Sequence, residues 1–196
     1  MFTGIVRDVG TVVRTSPGEL TVASRLAIDA CLGDSIAVNG VDLTVVASDD
    51  LTFSANVMPE TLRRSTFSQL APDTAVNLEP ALRPLDGLSG HIVRGVVEGR
   101  ATLAAIEPDD DATILRFGCR SSDLLRHMVV KGPVALDGVS LTLIEVGTDG
   151  FAVSMVQYTA VHTTFGSCRV DDEVNVETDL LARYVDAAVS ARLDGL

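Results

Sequence analysis

The sequence predicts an all-β protein made of two copies of one domain, with a single helix after the second copy. Three observations carry this prediction. They are an internal repeat with a period of nearly half the chain, short runs that alternate apolar and polar residues, and a helical pattern confined to the end. A period of this length indicates two copies of a domain rather than a solenoid, whose repeats are much shorter.

The repeat is clearest in one segment of each half. Val38–Val45 reads VNGVDLTV and recurs 98 residues later as LDGVSLTL at Leu136–Leu143. The same offset relates Thr61 to Thr159, Thr66-Phe67 to Thr164-Phe165, and Val76–Glu79 to Val174–Glu177. Near the start of each half, Gly4–Val6 matches Gly95–Val97 at an offset of 91, so the second half gains about seven residues between these points.

The alternating runs are rich in Val, Leu and Thr and are separated by Gly, Asp and Asn, a pattern typical of half-buried strands. The runs are 35–45, 52–57 and 75–78 in the first half, and 134–143, 151–156 and 173–176 in the second. Many short strands at this spacing favour a sandwich or a small barrel.

Short helices are expected between these strands. Pro59–Arg64 has a proline where helices often start, although it also fits a plain junction between strand and helix. Residues 121–128 carry an apolar i, i+3, i+4 stripe, with Ser122 as the expected cap. The Pro- and Gly-rich stretch 81–90 predicts the boundary between the copies, which gives domains 1–87 and 88–178.

The last segment, 179–196, has the composition of a helix. Its apolar residues recur at helical spacing: Leu180, Leu181, Tyr184, Val185, Ala188 and Val189. The spacing predicts an amphipathic helix. Such a helix either packs on its own barrel or associates with copies of itself, and the residues alone leave both alternatives open.

The composition favours a globular protein and excludes two classes of partner. Of 196 residues, 46% are hydrophobic and 21% are charged, which is sufficient for a packed core. Fifteen Lys and Arg residues against 27 Asp and Glu residues give a net charge of −12. Nucleic acids and anionic membrane surfaces select basic faces, so neither is an expected partner.

The sequence also lacks the patterns of secretion and membrane insertion. No apolar stretch reaches the roughly 18–20 residues of a membrane span. The start, MFTGIVRDVG, has neither the basic residues nor the apolar run of a signal peptide. Cys31, Cys119 and Cys168 form no CxxC pair, so neither a disulfide framework nor a zinc site is predicted. We therefore expect a cytoplasmic protein.

No single residue of the sequence identifies a reaction or a ligand. His91 is a candidate acid or base, because histidine titrates near neutrality. His127 and His162 have no carboxylate or cysteine at ligand spacing, so no metal site is expected. Lys131 stands beside Gly132 at a strand start in a chain with very few lysines. Without a Ser-His-Asp set, a P-loop or a GxGxxG motif, these residues predict a duplicated β-protein of unknown ligand.

A series of motifs carries a resemblance to a known family. MFTGIV, GDSIAVNGV, LTV, VMPETLRRS, VNLE, GHIV, KGPVALDGVSLT and VNVETD follow one another along nearly the whole chain. In these motifs the sequence resembles riboflavin synthases. The resemblance implies two tandem six-stranded Greek-key barrels, each able to bind a lumazine, and a C-terminal helix. It also implies a homotrimer joined through that helix, with sites shared between neighbouring subunits.

The resemblance further implies an activity and a set of site residues. The family converts two molecules of 6,7-dimethyl-8-ribityllumazine into riboflavin and 5-amino-6-ribitylaminouracil, without a metal or redox cofactor. The positions that it marks as catalytic are Phe2, Ser35, Asp42, Thr44, Lys131, Ser140 and Asp179. The positions that it marks as substrate-binding are Gly4, Ile5, Val6, Leu43, Met58, Thr61, Gly95, Val96, Leu141, Thr142 and Thr159. It assigns Gly4–Val6 to the first barrel and Gly95 to the second.

Two positions depart from the family pattern. Asp42 stands where the family usually has the cysteine of GVCLTV, and Val96 stands where a second histidine is usual. A smaller departure is Gln157-Tyr158, where the family usually has a proline. Three functions remain open: a riboflavin synthase with retuned or weakened turnover, a non-catalytic lumazine- or flavin-binding protein, and a paralogue with different chemistry on a lumazine.

Overall fold

The computed structural model, which describes residues 1–193, contains two closed six-stranded antiparallel β-barrels followed by a helix. The predicted fold class is confirmed. The strands of barrel 1 are β1 (Asp8–Ser16), β2 (Glu19–Ala23), β3 (Ser35–Val38), β4 (Val41–Ser48), β5 (Thr52–Asn56) and β6 (Ala75–Pro80). The strands of barrel 2 are β7 (Gly99–Asp109), β8 (Ala112–Gly118), β9 (Pro133–Leu136), β10 (Val139–Val146), β11 (Gly150–Val156) and β12 (Glu173–Thr178). The helices are α1 (Pro59–Arg64), α2 (Ser122–Leu125), α3 (Gln157–His162) and α4 (Leu180–Leu193).

Both barrels have the same Greek-key strand order. In barrel 1 the order is β1-β2-β5-β4-β3-β6, with β6 closing onto β1. Barrel 2 repeats it as β7-β8-β11-β10-β9-β12, with β12 closing onto β7. The repeat in the sequence is therefore a repeat of whole barrels, and closure leaves no free sheet edge in either one.

Each barrel has its own apolar core because residues along a strand alternate between the interior and the surface. In β4, for example, Val41, Leu43 and Val45 are buried, whereas Asp42 and Thr44 face outwards. Burying such an aliphatic side chain contributes about 1.5–3 kcal/mol relative to leaving it exposed. The alternation thus decides which face of each strand is available to a ligand.

Two of the predicted strands are hairpins. The run 35–45 is divided into β3 and β4 at Asn39-Gly40, and the run 134–143 is divided into β9 and β10 at Asp137-Gly138. The φ angles are 43° and 77° in the first turn and 43° and 75° in the second. Positive φ at both positions is typical of type I′ turns, which Asn-Gly and Asp-Gly favour. The apolar alternation continues through both turns, so it does not show where one strand ends and the next begins.

The sequence pattern also missed the first hairpin of each barrel, β1–β2 and β7–β8. In β1 only Gly10 and Val12 are buried, so the alternation is weak there. Helix α1 is as predicted, whereas the helix predicted at 121–128 is the shorter α2. Its cap is Ser121, whose Oγ accepts a hydrogen bond from the Leu124 N–H at 3.3 Å, and the prediction of Ser122 was wrong by one residue.

Helix α4 is attached to barrel 2 through charged side chains. Arg183 forms an ion pair with Glu98 at 3.0 Å, and Asp186 forms one with Arg126 at 2.5 Å. The last residues of the predicted terminal segment, 194–196, lie outside the described residues. Neither α4 nor any other described helix is long and apolar enough to cross a membrane.

Candidate functional site

The segments that lead into the two barrels meet at the centre of the molecule. Phe2, which precedes barrel 1, pairs with Val93, which precedes barrel 2, in an isolated antiparallel bridge. The Phe2 N–H donates to the Val93 carbonyl at 2.7 Å, and the Val93 N–H donates to the Phe2 carbonyl at 3.1 Å. Because the contact is reciprocal, the entry segments 2–6 and 93–97 are related by an approximate two-fold axis.

A buried glutamate holds each entry segment. Glu79 of β6 accepts hydrogen bonds from the Thr3 N–H at 2.7 Å, the Thr3 hydroxyl at 2.8 Å and the Gly4 N–H at 2.9 Å. The donors to Glu177 of β12 are the N–H groups of Arg94, Gly95 and Val96, at 2.7, 3.0 and 2.9 Å. Burial raises the pKa of both carboxyl groups, and the N–H donors oppose that shift. The sequence analysis missed these anchors, although the repeated VNLE and VNVE motifs contain both glutamates.

Each entry segment then lies against a strand of the opposite barrel. The Gly4 carbonyl accepts a hydrogen bond from the N–H of Ser140, in β10 of barrel 2, at 2.8 Å. The Gly95 carbonyl accepts one from the N–H of Asp42, in β4 of barrel 1, at 2.9 Å. The assignment of Gly4–Val6 to the first barrel and of Gly95 to the second was therefore wrong. The segments cross because each is anchored by its own barrel while its carbonyl groups face the other.

Glycine is required at both crossings. Gly4 and Gly95 have φ angles of 75° and 79°, which other residues rarely adopt. A Cβ atom on Gly4 would stand 2.7 Å from the Ser140 Cβ, and one on Gly95 would stand 2.6 Å from the Asp42 Cβ. The close approach brings the next residue of each segment beside the outer face of the opposite barrel.

In barrel 2, a serine and a histidine form a hydrogen-bonded pair at the crossing. The Ser140 Oγ and the His91 Nδ1 are 2.8 Å apart. Burial lowers the pKa of His91, and the negative charge of Asp179 opposes this shift, so the imidazole is mostly neutral at pH 7. Asp179 has a second role, because its Oδ1 accepts a hydrogen bond from the Leu181 N–H at 3.0 Å and caps α4.

The other predicted residues of barrel 2 lie on β10 or in segments next to it. Thr142 is exposed on the same face of β10 as Ser140. Lys131 is exposed at the start of the β9–β10 hairpin, and its N–H donates to the Leu143 carbonyl at 2.8 Å. Half-buried Thr159 lies in α3, which follows β11 at the end where β10 begins. Of the crossing segment, Ile5 and Val6 are half-buried, and Val6 packs against the core of barrel 2.

The corresponding face of barrel 1 has different chemistry. Asp42 and Thr44 both point outwards from β4, and Thr44 pairs with Ser35 of β3. Ser35 also borders an open cleft of about 660 Å³ next to the linker between the barrels. Val96 follows the crossing glycine and is 48% exposed. Two more predicted residues, Met58 and Thr61, follow β5 at the end where β4 begins.

Three predicted site residues have side chains inside the protein. Phe2 is 0% exposed and packs between the barrels with Ala37, Val93 and Ala135. Leu43 and Leu141 are 4% and 6% exposed and belong to the two barrel cores, as their positions in the strand alternation require. A ligand on the outer faces would reach only the backbone of these three residues.

The titratable side chains that the structure describes do not form a metal centre. Within residues 1–193, no group of three or more His, Cys, Asp and Glu side chains is arranged to hold a metal ion. His127 instead lies 3.3 Å from Asp186 of α4, and the His162 Nδ1 lies 2.8 Å from the Tyr158 carbonyl.

Comparisons with known proteins identify the family that has this pair of sites. A family profile described as "Lumazine binding domain" matches residues 3–81 and 94–179, once for each barrel. Riboflavin synthase from Mycobacterium tuberculosis is 43% identical over 95% of this chain and 96% of its own. The enzyme from Actinobacillus pleuropneumoniae is 37% identical over 95% of this chain and 88% of its own. The chain belongs to the riboflavin synthase family.

The solved structures agree with this family at the level of the fold. LumP in complex with 6,7-dimethyl-8-(1'-D-ribityl) lumazine has a TM-score of 0.79 and 22% identity, over 91% of this chain and 99% of LumP. The two crossings of this chain carry different side chains. Barrel 2 has the Ser140–His91 pair, whereas barrel 1 has a carboxylate, Asp42, beside an aliphatic residue, Val96.

Proposed function

We propose that the chain is a riboflavin synthase-type transferase that converts two molecules of 6,7-dimethyl-8-ribityllumazine into riboflavin and 5-amino-6-ribitylaminouracil. The observation that carries the proposal is the Ser140–His91 pair at the crossing, in a chain that matches riboflavin synthases over 95% of its length. A neutral imidazole that is hydrogen-bonded to a hydroxyl can accept and return a proton. General acid–base catalysis of this kind typically contributes 10²–10⁴-fold to a rate. The proposed reaction uses no metal and no redox cofactor.

The outer faces of the barrels supply binding and orientation in this proposal. Backbone amides and the hydroxyls of Thr44 and Thr142 suit the two carbonyl groups of a pyrimidine ring. Lys131 and Asp179 suit the hydroxyl groups of a ribityl chain. Holding two flat rings in reacting geometry is worth roughly 7–11 kcal/mol of the barrier. Much of the rate enhancement therefore comes from position, which the two anchored crossings provide.

A second function, binding without turnover, is favoured by the residues of barrel 1. Val96 neither donates nor accepts a proton, so it supplies no acid or base at its position. A carboxylate at Asp42 opposes a ring anion by about 4 kcal/mol at a distance of about 4 Å, for an effective dielectric constant near 20. The same carboxylate could also act as a base, which leaves a different reaction on a lumazine as a third function.

One incubation distinguishes these functions. Purified protein is mixed with 6,7-dimethyl-8-ribityllumazine, and products are followed by absorbance and chromatography. Sustained riboflavin formation supports the synthase and contradicts binding alone. Tight binding without product supports the binding protein, and a new product supports the third function.

A variant of the hydrogen-bonded serine tests its role in the synthase reaction. Ser140→Ala should reduce riboflavin formation at least 100-fold, whereas Ser122→Ala, at an exposed position in α2, should leave it unchanged.

We also propose that the chain forms a homotrimer through α4. The helix uses Arg183 and Asp186 to contact barrel 2, and its apolar residues are left on the surface. These are Leu181, Tyr184, Val185 and Val189, which are 52–67% exposed. Exposed apolar faces of this kind are typical of subunit contacts.

Sedimentation tests this assembly. Val185→Glu should sediment as a monomer, whereas Ala187→Glu, which places the same charge on another face of α4, should sediment as a trimer. A trimeric Val185→Glu variant would contradict the proposal.

A cytoplasmic location is part of the same proposal. All three cysteines are free thiols, with Cys31 exposed, Cys119 buried and Cys168 between these extremes. Unpaired thiols are typical of reducing compartments.

A further inference from the structure

Asp42 occupies the position in barrel 1 that Ser140 occupies in barrel 2. Each residue donates its N–H to the carbonyl of a crossing glycine, at 2.9 Å for Asp42 and 2.8 Å for Ser140. The Ser140 hydroxyl is already hydrogen-bonded to His91, so barrel 2 satisfies its polar group internally. Barrel 1 places a carboxylate at the equivalent point, and the acid–base role proposed for the Ser140–His91 pair does not involve it.

The Asp42 carboxylate has no internal partner. Within residues 1–193, no Lys, Arg or His nitrogen lies within 4.0 Å of it, and no protein donor forms a hydrogen bond with it. Its neighbour across the β3–β4 ladder is Ala37, which is buried, and the residue after the crossing glycine is the aliphatic Val96. A carboxylate is only an acceptor, so its donors must come from water or from a ligand.

The crossing fixes the direction in which this carboxylate points. The Asp42 N–H donates a hydrogen bond to the Gly95 carbonyl. The Asp42 Cβ lies so close to Gly95 that a Cβ atom added to this glycine would stand 2.6 Å from it. The side chain therefore leaves along the outer face of β4, where Thr44 and its ladder partner Ser35 also lie. One carboxylate and two hydroxyl groups thus share the face that is open to a ligand.

We propose that Asp42 makes the barrel 1 site selective for pyrimidines that carry amino groups, the class of 5-amino-6-ribitylaminouracil, over flavins such as riboflavin. Such a pyrimidine presents several N–H donors along its ring. A flavin has a single ring N–H, and the rest of its polar edge consists of carbonyl and ring-nitrogen acceptors, which a carboxylate repels. Hydrogen bonds from an N–H donor to a carboxylate are also stronger than neutral ones. The inference rests on the proposed function, which names this uracil as a product, and it adds which barrel retains that product.

Calorimetric titration of the full-length protein under anaerobic conditions tests the selectivity. The two ligands are 5-amino-6-ribitylaminouracil and riboflavin, each added to wild type, Asp42→Asn, Asp42→Ser and Asp50→Asn. Asp42→Asn keeps the shape and removes the charge, and Asp42→Ser introduces the residue found in barrel 2. Asp50→Asn removes an exposed charge from the turn between β4 and β5. We expect both Asp42 variants to bind the uracil at least tenfold more weakly and riboflavin as well as wild type or better. Asp50→Asn should behave as wild type.

The other outcomes contradict the inference in distinguishable ways. An unchanged uracil affinity in Asp42→Asn, or an equal loss of affinity for both ligands, overturns the role of Asp42. A comparable loss of uracil affinity in Asp50→Asn overturns it too, because the effect would then come from overall charge. If wild type binds riboflavin but fails the Asp42 comparison, only this inference is lost. If wild type binds neither riboflavin nor 5-amino-6-ribitylaminouracil, the proposed function itself is wrong.

Discussion

The two barrels agree in the residues that hold the chain and differ in residues that face a ligand or the centre of the molecule. Glu79 and Glu177 anchor the entry segments in the same way, and Gly4 and Gly95 make equivalent crossings. Among the matched positions that differ are Gly33 and Lys131, Asn39 and Asp137, and Asp42 and Ser140. The same architecture therefore carries two candidate sites with different chemical groups, because the residues that anchor the entry segments are not the residues that differ.

The largest effect is expected at the crossings, where the barrels are equivalent. Gly95→Ala and Gly4→Ala each force a side chain into a left-handed conformation and into contact with β4 or β10. The left-handed conformation costs about 1–2 kcal/mol and the overpacking about 1–3 kcal/mol, so up to about 5 kcal/mol of unfolding free energy should be lost. Urea unfolding measures this loss.

A control for the crossings is available in the linker. Gly87 has only the Ser89 Oγ, at 3.8 Å, near the position of an added Cβ. Gly87→Ala should therefore change the unfolding free energy by no more than about 0.5 kcal/mol. A tolerated Gly95→Ala beside a damaging Gly4→Ala would show that the two crossings are not equivalent.

The sequence does not predict which barrel each crossing segment contacts. The duplication, the strand-rich texture and the terminal helix follow from local patterns, and the motif series identifies the family. The barrel contacted by Gly4 depends instead on a hydrogen bond to a residue 136 positions away, Ser140. The resemblance assigns Gly4 to the barrel that follows it in sequence, whereas the fold places its carbonyl against the other barrel. Leu43 shows the same limit, because a motif does not indicate whether a side chain points into the barrel or towards a ligand.

The next effect concerns a buried polar cluster that joins the two repeats. Asn39 Oδ1 accepts from the Asn77 N–H at 2.7 Å, and Asp137 Oδ1 accepts from the Asn175 N–H at 2.8 Å. Burial raises the pKa of Asp137 to about 7, the Asn175 N–H opposes this shift, and the charge of Asp172 adds to it. The first repeat places a neutral amide at the same point, so only the second repeat contains an ionisable group there.

Asp137→Asn should therefore remove a pH dependence from folding. Because the pKa is raised in the folded state, the contribution of Asp137 to stability is complete below about pH 4 and is lost as the pH rises to about 7. A pKa of about 7 in place of the usual 3.8 corresponds to a change of about 4 kcal/mol in the unfolding free energy. The unfolding free energy of Asp137→Asn, relative to wild type, should rise by about this amount between pH 4 and pH 8. Denaturant unfolding at several pH values measures it.

The reverse change makes the first repeat resemble the second. Asn39→Asp should introduce a comparable loss of stability above neutral pH, because the new carboxyl group is also buried. A flat difference between Asp137→Asn and wild type across this pH range would show that burial does not raise the pKa of Asp137 in the folded state.

A smaller effect is expected when barrel 1 receives the residues usual in the family. Asp42→Cys with Val96→His removes a negative charge and adds a group that transfers protons. Riboflavin formation should rise on the order of 100-fold, the lower end of what acid–base catalysis contributes. The rate of riboflavin formation from 6,7-dimethyl-8-ribityllumazine measures it. Each single variant serves as the control, and an unchanged rate in the double variant would locate any defect outside barrel 1.

The smallest effect is expected for Lys131→Gly, which should change stability and ligand affinity in opposite directions. This single lysine of the sequence has a φ angle of 70°, at the position where barrel 1 has Gly33 with a φ angle of 89°. A left-handed lysine is strained by about 1 kcal/mol, so Lys131→Gly should stabilise the fold by up to about that amount. The same variant should bind 6,7-dimethyl-8-ribityllumazine more weakly if the ammonium group contacts the ligand.

Thermal unfolding measures the change in stability, and titration with the lumazine measures the change in affinity. Gly33→Ala is the control in barrel 1 and should be destabilising, because it introduces the same backbone strain there. A more stable variant with weaker binding would show that barrel 2 retains a strained residue for its chemistry, whereas an unchanged affinity would remove Lys131 from the site.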